Sequence, residues 1–231
     1  MAHARIIRLR RPPVIVQTEG RFVPPNVDLA EVDQRWAALC AANPKYFDGS
    51  LLQVLGTSRN GHGGVQIHVQ ECSYRFYAVQ RADGDWQGLD CGVRPLGVKG
   101  LTRRGAALLV GRRSRRVAFY PGLWEFVPGG GLEPGVEPSA HVLRELSEEA
   151  GLTALAPPIA VALLYDPVAW TWEIVHRIDL AESAEPTLGW EYEEFRFVEE
   201  FRFVEEFRFV ERDALPEPLA PVATQMLALI A

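Results

Sequence analysis

The chain has 231 residues, of which 48% are hydrophobic and 23% are charged, and its formal net charge at pH 7 is -6. That length can bury a substantial core, as one large domain or as one domain with a smaller appendage. The acidic balance argues against a general nucleic-acid-binding protein, which would present basic surface to phosphates.

Cysteine usage and hydropathy bear on the compartment. Cys40, Cys72 and Cys91 lack the spacing of a metal site and cannot all pair, which favours a reducing compartment. The basic segment 1–20 has no apolar run long enough for a signal peptide. Later segments never reach the roughly 18 consecutive apolar residues of a membrane-spanning helix. We therefore expect a soluble, cytoplasmic protein with no membrane partner.

The first part of the chain predicts a small α/β unit. Residues 26–44 have the pattern of an amphipathic helix that Pro44 ends. Residues 51–57 and 64–70 alternate like strands, and the turn-rich segment between them indicates a hairpin. Residues 74–80 predict a third strand, because they are rich in aromatic side chains.

From residue 93 onward, strand patterns lie on both sides of one acidic helix. These strand patterns and a closing helix cover residues 94–102, 105–112, 123–127, 159–166, 170–180 and 218–231. The order lacks a βαβ rhythm, which favours an α/β sandwich with a mixed sheet over a doubly wound parallel sheet. We place a domain boundary between residues 92 and 93.

The sequence EEFRFV occurs three times in tandem, at 193–198, 199–204 and 205–210. One strand of that length would be too long for a domain of this size. A helix would scatter the phenylalanines around its axis, because the repeat does not match the helical period. We expect one copy to form a sheet strand and the other two to be duplicated insertions.

Residues 138–151 predict a short acidic helix that starts at a proline and ends at a glycine. Glu145, Glu148 and Glu149 fall at positions i, i+3 and i+4 and share one side. Because like charges repel there, the pattern predicts either a solvated face with an Arg144–Glu148 pair or a bound divalent cation. Carboxylate oxygens favour Mg²⁺ or Mn²⁺. The opposite side, which we expect to pack on a sheet, consists of Ala140, Leu143, Ser147 and Ala150.

Three glycines at 129–131 precede this helix and follow the aromatic strand 123–127. Glycines let a backbone approach a ligand closely. Strand, glycines and acidic helix together resemble the Nudix hydrolase box, G-x5-E-x7-R-E-U-x-E-E-x-G-U, in which U is aliphatic. The box's first glutamate would fall at position 136, where this chain has Val136 followed by Glu137. The residues that match the box are Gly130, Arg144, Glu145, Leu146, Glu148, Glu149, Gly151 and Leu152.

The resemblance implies a fold, a reaction and residue roles. It implies a Nudix-type α/β/α sandwich over residues 93–231, with residues 1–92 as an N-terminal α/β extension. It implies hydrolysis of a nucleoside diphosphate linked to another group, with Mg²⁺ or Mn²⁺ as cofactor. Arg144 would orient the carboxylates and complete a catalytic set with the three glutamates. The implied metal ligands are Glu145, Glu148, Glu149 and the carbonyl of Gly129.

A basic segment at 111–116 follows the strand pattern 105–112. Guanidinium groups bind phosphate oxygens in a bidentate manner, although a solvated basic turn is the alternative. The predicted substrate-binding residues are Arg112, Arg113, Arg116 and Gly130. The sequence leaves the general base open among Glu149, Glu191, Glu193, Glu194, Glu199, Glu200, Glu205 and Glu206.

The substrate class rests on a weaker similarity. Segments 43–55, 71–80, 94–101 and 111–134 are similar to the Nudix branch that cleaves UDP-glucose and UDP-galactose to UMP and a sugar 1-phosphate. ADP-ribose or another dinucleotide is the alternative substrate. A Nudix-fold nucleotide-binding regulator, catalytically weakened by Val136, is the alternative of a different class.

The remaining candidate site residues are three aromatic side chains and one histidine. Tyr74, Tyr77 and Trp86 could stack on a base, although aromatic residues in strands belong more often to the core. His141 lies one turn before Glu145, and we expect an ordinary surface histidine there. The expected partner is a small nucleoside diphosphate derivative, and a homodimer is an expected assembly.

Overall fold

The computed structural model of the protein describes residues 5–44, 46–61, 63–82, 89–199 and 215–230. Within them the chain forms helices α1 (Leu29–Ala42), α2 (Tyr74–Ala82), α3 (Pro138–Ala150) and α4 (Pro221–Ile230). The strands are β1 (Arg5–Arg8), β2 (Val14–Phe22), β3 (Ser50–Arg59), β4 (Val65–Ser73), β5 (Leu96–Arg104), β6 (Ala107–Arg113), β7 (Trp124–Phe126), β8 (Gly129–Gly131), β9 (Ile159–Asp166), β10 (Thr171–Leu180) and β11 (Tyr192–Glu199).

The larger of the two described sheets is mixed, as predicted. Its order is β1-β9-β10-β5-β6-β11, with β7 paired to β6 and β8 paired to β5. β10 and β5 run parallel, from Trp172 opposite Leu96 to Leu180 opposite Arg104. The remaining pairs are antiparallel. The strands predicted from residue 94 to residue 180 are confirmed, each within a few residues of its predicted ends.

Helices cover both faces of this sheet. On one face, Val142 and Leu146 of α3 pack in a buried cluster with Val98 of β5. On the other face, Met226 of α4 packs in a second cluster with Val175 of β10. Burying such side chains stabilises the fold by roughly 1.5–3 kcal/mol each. The arrangement confirms the predicted α/β/α sandwich.

The buried side of α3 differs from the prediction. Val142, Leu146 and Ala150 face the core, whereas Ala140 and Ser147 are exposed. The predicted packing side is therefore wrong for Ala140 and Ser147, whereas Ala150 is buried and Leu143 packs against the cluster under α3. Valine and leucine carry more apolar surface than alanine and serine, so burying them releases more free energy.

The smaller sheet has the order β2-β4-β3. β3 and β4 are antiparallel, which confirms the predicted hairpin. β2 pairs with β4 in parallel and lies outside the predicted strands. Together with α1 and α2 this sheet encloses a separate buried cluster that includes Val32, Cys72 and Phe76.

The predicted third strand at 74–80 is wrong, because these residues form α2. Asp48 Oδ1 accepts a hydrogen bond from the backbone N–H of Arg75 at 2.9 Å and so satisfies a donor in the first turn. Phe76 and Val79 are buried in the cluster of the smaller sheet. The cap from a distant carboxylate and the burial of one helical side outweigh the β propensity of the aromatic residues.

The N-terminal extension and the larger sheet are physically joined. β1 pairs antiparallel with β9, with Arg5 opposite Tyr165 and Arg8 opposite Ala162. The boundary between residues 92 and 93 stays a prediction. None of the described helices has the length and apolar character needed to cross a membrane.

The first EEFRFV copy, at 193–198, lies in β11 and pairs antiparallel with β6. Phe195 and Phe197 pack against the cluster under α3, whereas Val198 belongs to the cluster under α4. The strand alternation that an even-length repeat preserves is therefore used by this copy. The predicted surplus copies at 199–210 lie outside the described residues, apart from the backbone of Glu199.

Candidate active site

α3 carries the predicted carboxylates, and both of its ends follow the predicted signals. Pro138 occupies the first turn. Gly151 ends the helix with φ of 65°, a left-handed conformation that glycine adopts without strain. Its N–H donates to the carbonyl of Ser147 at 3.0 Å. The helix is thereby fixed in length, and Glu145 and Glu149 lie against β8.

Glu149 is buried, with 4% of its surface exposed. Its Oε2 accepts a hydrogen bond from the backbone N–H of Gly129 at 3.2 Å and lies 3.3 Å from the hydroxyl of Tyr192. Burial raises the pKa of this carboxyl well above its usual range, although Lys99 opposes the shift. A carboxylate held this way gains from any cation that reaches it.

Glu145 lies against Gly130. A Cβ atom on Gly130 would sit 2.5 Å from Glu145 Cδ, so a side chain at this position would displace the Glu145 carboxylate. Burial, followed by the neighbouring Glu148, raises the pKa of the Glu145 carboxyl from 4.5 to about 7. The glycine therefore allows a carboxylate to lie directly on the backbone of β8.

The three glutamates of α3 line one small cavity of about 100 Å³. The other lining residues, which come from the loop between β10 and β11, are Gly189, Trp190 and Glu191. This cavity thus presents four carboxylates and no basic side chain. Such an arrangement is electrostatically unfavourable unless protons or a cation compensate the charge.

Among the candidate bases outside α3 in the described part of the chain, Glu191 is the one that lines that cavity. Glu193 and Glu194 instead lie 3.8 and 3.4 Å from Arg112 Nη2. Glu191 lies 3.4 Å from Arg113 Nη1, and its carbonyl accepts a hydrogen bond from Ser114 N at 2.7 Å. The candidates Glu200, Glu205 and Glu206, and the side chain of Glu199, lie outside the described residues.

The donor set of the cavity fits a hard divalent cation. All its charged groups are carboxylates, and Glu145 and Glu149 have raised pKa values that a nearby positive charge would lower. Across the described ranges, no group of three His, Cys, Asp or Glu side chains already stands in a ligating arrangement. Glu145, Glu148 and Glu149, the predicted ligands on α3, are the side chains that would hold such an ion.

Arg144 is fixed from two directions. Its Nη2 donates to Glu133 Oε1 at 2.7 Å and to His141 Nδ1 at 2.9 Å. The predicted pairing with Glu148 is loose, with 4.0 Å between Nε and Oε1. Glu133 and His141 therefore set the orientation of this guanidinium beside the glutamates.

The expectation that His141 is a surface histidine is wrong, because only 1% of its surface is exposed. A guanidinium can only donate, so Nδ1 accepts from Arg144 and the ring proton lies on Nε2. Nε2 faces Glu145 Oε1 at 3.2 Å without hydrogen-bond alignment. Burial and the charge of Arg144 lower the pKa of the ring, which favours the neutral form. His141 thus connects Arg144 to Glu145.

The departure from the box at position 136 has a structural consequence. Val136 is half-buried and packs against the cluster under α3. Glu137 is the N-cap residue of α3, and its side chain makes no capping hydrogen bond. Among the contacts that the structure gives Arg144, the carboxylate at closest range belongs to Glu133, three residues before Val136. No box spacing predicts Glu133 as that partner.

The basic segment divides into buried and exposed arginines. Arg113 is mostly buried and lies 3.1 Å from Glu125 Oε1. Arg112 is engaged by Glu193 and Glu194, as described above. Arg115 and Arg116 are exposed at the turn that follows β6. Of the predicted phosphate ligands, Arg116 is therefore the one that reaches solvent without a described carboxylate partner.

A buried charge network lies beneath the site, and no motif predicts it. Glu125 Oε2 accepts from Lys99 Nζ at 2.7 Å, and Glu125 Oε1 accepts from the Tyr192 hydroxyl at 2.8 Å. Burial alone would raise the pKa of Glu125, but Lys99 and Arg113 outweigh it and lower the value. Because Tyr192 also approaches Glu149, the network supports the acidic helix from below.

The predicted aromatic stacking residues lie elsewhere. Tyr77 is buried, and its hydroxyl donates to the carbonyl of Ala169 at 2.8 Å. Tyr74 packs edge-on against Trp36 in the cluster of the smaller sheet. Both tyrosines therefore belong to the core, which was the stated alternative. Trp86 lies outside the described residues.

Comparison with known proteins assigns the chain to a family. Residues 93–230 match the NUDIX domain. The chain belongs to the NUDIX domain family. This assignment confirms the superfamily that the box residues indicate. Membership of the UDP-sugar branch stays a prediction.

The chain is similar to several family members. It is 31% identical over 90 residues to Nudix hydrolase 20, chloroplastic, from Arabidopsis thaliana, which covers 38% of this chain and 24% of that relative's length. A MutT protein from Methanosarcina mazei Go1 is 25% identical, with a TM-score of 0.39 over 45% of this chain and 75% of that chain. A MutT NUDIX hydrolase from Burkholderia pseudomallei is 20% identical, with a TM-score of 0.44 over 59% of this chain and 97% of that chain.

Replacing Glu133 with glutamine tests its contact with Arg144. We expect kcat/KM to fall about 10-fold, since partners that orient a site typically contribute 10- to 100-fold. The free energy of unfolding should change by less than about 1 kcal/mol, because the Glu133–Arg144 ion pair is solvent-exposed. Steady-state kinetics and urea unfolding measure the two effects.

The matched control is Glu137→Gln, at the exposed N-cap position beside Val136. It should leave kcat/KM unchanged, because its side chain does not contact Arg144. Equal losses in both variants would contradict a specific role for Glu133 and point to a general effect of negative charge near the helix.

Proposed function

We propose that the protein hydrolyses the pyrophosphate bond of a nucleoside diphosphate linked to a second group, with Mg²⁺ or Mn²⁺ held by its acidic helix. The observation that carries this proposal is the cavity in which Glu145, Glu148, Glu149 and Glu191 converge beside the glycine strand β8. The raised pKa values of Glu145 and Glu149 support it, because buried carboxylates that lack a cation bind protons instead.

When bound there, a divalent cation would screen the charge of the pyrophosphate and acidify a water molecule. The chain's own residues would bind and orient the substrate and would accept and donate protons. Glu191 is our candidate for the proton acceptor, because it enters the cavity from outside α3 and Arg113 holds it at 3.4 Å. Glu149 is held more tightly, by Gly129 N and Tyr192, and is better suited to ligation.

Two cationic groups would bind phosphate oxygens. Arg144 lies beside the glutamates, where Glu133 and His141 orient it. Arg116, exposed on the turn after β6, can reach a substrate that enters from solvent. The space beside the Gly130 backbone is taken by the Glu145 carboxylate, so the role of Gly130 in substrate binding stays a prediction. The ligand role of the Gly129 carbonyl stays a prediction.

For the substrate, we propose UDP-glucose, which would give UMP and glucose 1-phosphate. This proposal rests on the sequence similarity of the segments around the box and of the N-terminal extension. ADP-ribose or another dinucleotide is the second candidate. Four carboxylates that repel one another favour turnover over a binding module, because a protein that only binds nucleotides gains nothing from that repulsion.

A substrate panel with Mg²⁺ tests both the proposed pyrophosphate hydrolysis and the proposed UDP-sugar substrate. The purified protein is incubated with UDP-glucose, UDP-galactose, ADP-ribose, NADH and coenzyme A, and products are identified by mass spectrometry. We expect UMP and a sugar 1-phosphate from the UDP-sugars. AMP from ADP-ribose or NADH with no UMP would favour the dinucleotide alternative.

The Glu148→Gln variant serves as the control for contaminating hydrolases and should release no product. Reaction in ¹⁸O-labelled water identifies which phosphorus is attacked, because the label enters one product only. Absence of product from every substrate, together with measurable nucleotide binding, would reject the enzyme and leave the binding module.

A further inference from the structure

Trp190 is a large aromatic side chain at the rim of the acidic cavity. It lines the cavity together with the four glutamates, yet 61% of its surface is exposed to solvent. The adjacent Leu188 is 59% exposed. A surface that places an exposed indole directly beside carboxylates offers a flat apolar face next to a site for charge.

The loop that carries Trp190 is fixed at both sides of it. Before Trp190, the N–H of Thr187 donates to the carbonyl of Ala150, the last residue of α3, at 2.8 Å. After Trp190, the carbonyl of Glu191 accepts from Ser114 N at 2.7 Å. The indole is therefore presented from a defined position between the end of α3 and the basic turn.

Gly189 explains how the loop passes over the helix. A Cβ atom on Gly189 would lie 3.6 Å from the carbonyl oxygen of Glu149, so the backbone runs close to the last turn of α3. This contact brings the next residue, Trp190, to the edge of the glutamate cavity. The loop thus supplies two groups to the site, a carboxylate inside the cavity and an aromatic ring at its mouth.

We propose that Trp190 is the platform on which the aromatic base of the substrate stacks. This inference rests on the proposed function, because it assigns the base end of the same nucleoside diphosphate derivative. The cavity of about 100 Å³ is too small for a whole nucleotide and is lined by carboxylates, so the base must lie outside it. Of the rim residues, Trp190 is the aromatic one, and every base has a face that can stack.

The two other aromatic candidates in the described part of the chain do not compete for this role. Tyr77 is buried, and Tyr74 packs in the cluster of the smaller sheet. The exposed Arg115 and Arg116 directly follow Ser114, whose backbone N–H is hydrogen-bonded to the Trp190 loop. A nucleotide whose base stacks on Trp190 would therefore have its phosphates between the arginines and the glutamates.

The test compares Trp190→Ala and Trp190→Phe with the wild type on ADP-ribose and UDP-glucose. Base stacking on an aromatic side chain corresponds to about 5- to 150-fold in affinity, so Trp190→Ala should raise KM by at least about 5-fold. The kcat should change less than about twofold, and phenylalanine should restore part of the affinity. Adenine should show the larger effect because it stacks over more area than uracil.

Two controls separate stacking from a general disturbance. 5-Phosphoribosyl 1-pyrophosphate has a pyrophosphate but no base, so Trp190→Ala should leave its binding, measured as competitive inhibition, unchanged. Leu188→Ala alters the exposed neighbour and should leave KM within about twofold. Tryptophan emission during titration with the α,β-methylene analogue of ADP-ribose should be quenched in the wild type, and less in Trp190→Phe, because stacking quenches the indole.

Three results would overturn the proposal. The first is a Trp190→Ala variant whose KM values for the nucleotides equal those of the wild type. The second is an equal loss of affinity for the base-free pyrophosphate in that variant. A shift from dimer to monomer in Trp190→Ala, with KM unchanged, would assign the indole to an interface between copies of the chain. If the wild type hydrolyses none of the panel, the proposed function fails, while the quenching titration still decides whether Trp190 stacks on a base.

Discussion

Replacing Glu145 with glutamine is expected to lower kcat/KM by at least about 100-fold while stabilising the metal-free protein above pH 7. The loss of activity follows if Glu145 is a metal ligand, because residues that merely support ligands already contribute 10- to 100-fold. The gain in stability follows from the charge environment of the carboxyl group. Few single changes are expected to move activity and stability so far in opposite directions.

The sign of the stability effect comes from the pKa. Burial first and Glu148 second raise the pKa of the Glu145 carboxyl from 4.5 to about 7. The folded chain therefore holds this proton more tightly than the unfolded chain, and stability is lost as the pH rises from 4.5 through 7. At 1.36 kcal/mol per pKa unit, the difference between 4.5 and about 7 corresponds to a loss of about 3 kcal/mol. Glutamine does not ionise, so the variant avoids that loss.

Urea unfolding in the presence of a chelator, below about pH 5 and above about pH 8, measures the stability difference. The two proteins should be equally stable at the acidic pH, and the variant should be more stable at the alkaline pH. Added Mg²⁺ should stabilise the wild type more than the variant. Glu137→Gln is the control, and its stability and activity should match the wild type.

A variant that unfolds more easily at alkaline pH would contradict the repulsion that the cavity implies. Unchanged turnover would remove Glu145 from the catalytic set. Either result can be separated from misfolding, because the acidic-pH measurement reports the stability of the variant without the charge effect.

Replacing Glu125 with glutamine is expected to destabilise the protein by about 3–5 kcal/mol, because it leaves the buried Lys99 without its paired carboxylate and leaves Arg113 with Glu191 alone of its two carboxylate partners. Glu125 Oε2 lies 2.7 Å from Lys99 Nζ, and Glu125 Oε1 lies 3.1 Å from Arg113 Nη1. The Lys99 and Glu125 side chains are 12% and 3% exposed, so water cannot replace the lost contact. Chemical unfolding with a two-state fit measures the change.

Two further variants make this result interpretable. Glu194→Gln removes a surface partner of Arg112 and should cost less than about 1 kcal/mol. The double variant Lys99→Met/Glu125→Gln removes the stranded lysine and should recover part of the stability. A loss below about 1 kcal/mol for Glu125→Gln would contradict the role of this network, because breaking a buried pair by removing one partner normally costs far more.

The Glu125 network also ties the fold to the candidate chemistry. The Tyr192 hydroxyl donates to Glu125 and approaches Glu149, while Arg113 contacts both Glu125 and Glu191. Glu125→Gln should therefore also reduce turnover, since it loosens the groups that hold two cavity carboxylates. Glu125, in the middle of the apolar strand β7, is thus linked through Tyr192 and Arg113 to the cavity carboxylates Glu149 and Glu191.

The departure at Val136 is accommodated locally. Val136 packs against the core, and Glu133 contacts the arginine that a box glutamate would be expected to support. Glu137, which directly follows Val136, is the N-cap residue of α3 and makes no capping hydrogen bond through its side chain.

The sequence by itself determined the mixed α/β sandwich, the position of the acidic helix and the spacing of the carboxylates along it. These follow from local rules, namely strand alternation, the Pro138 start, the Gly151 stop and the i, i+3, i+4 spacing of carboxylates. The family likewise follows from the linear spacing of the box. Local periodicity survives folding because hydrogen bonding within each element enforces it.

The tertiary structure alone decided what depends on contacts between distant segments. It buried His141 and brought Glu191 into the cavity lined by α3. Residues 74–80, predicted as a strand, form α2, and Asp48 caps the first turn of that helix. It also assembled Lys99, Glu125 and Tyr192 from three strands into one charge network. Each of these outcomes depends on which side chains meet across the fold, and spacing along the chain does not encode such pairings.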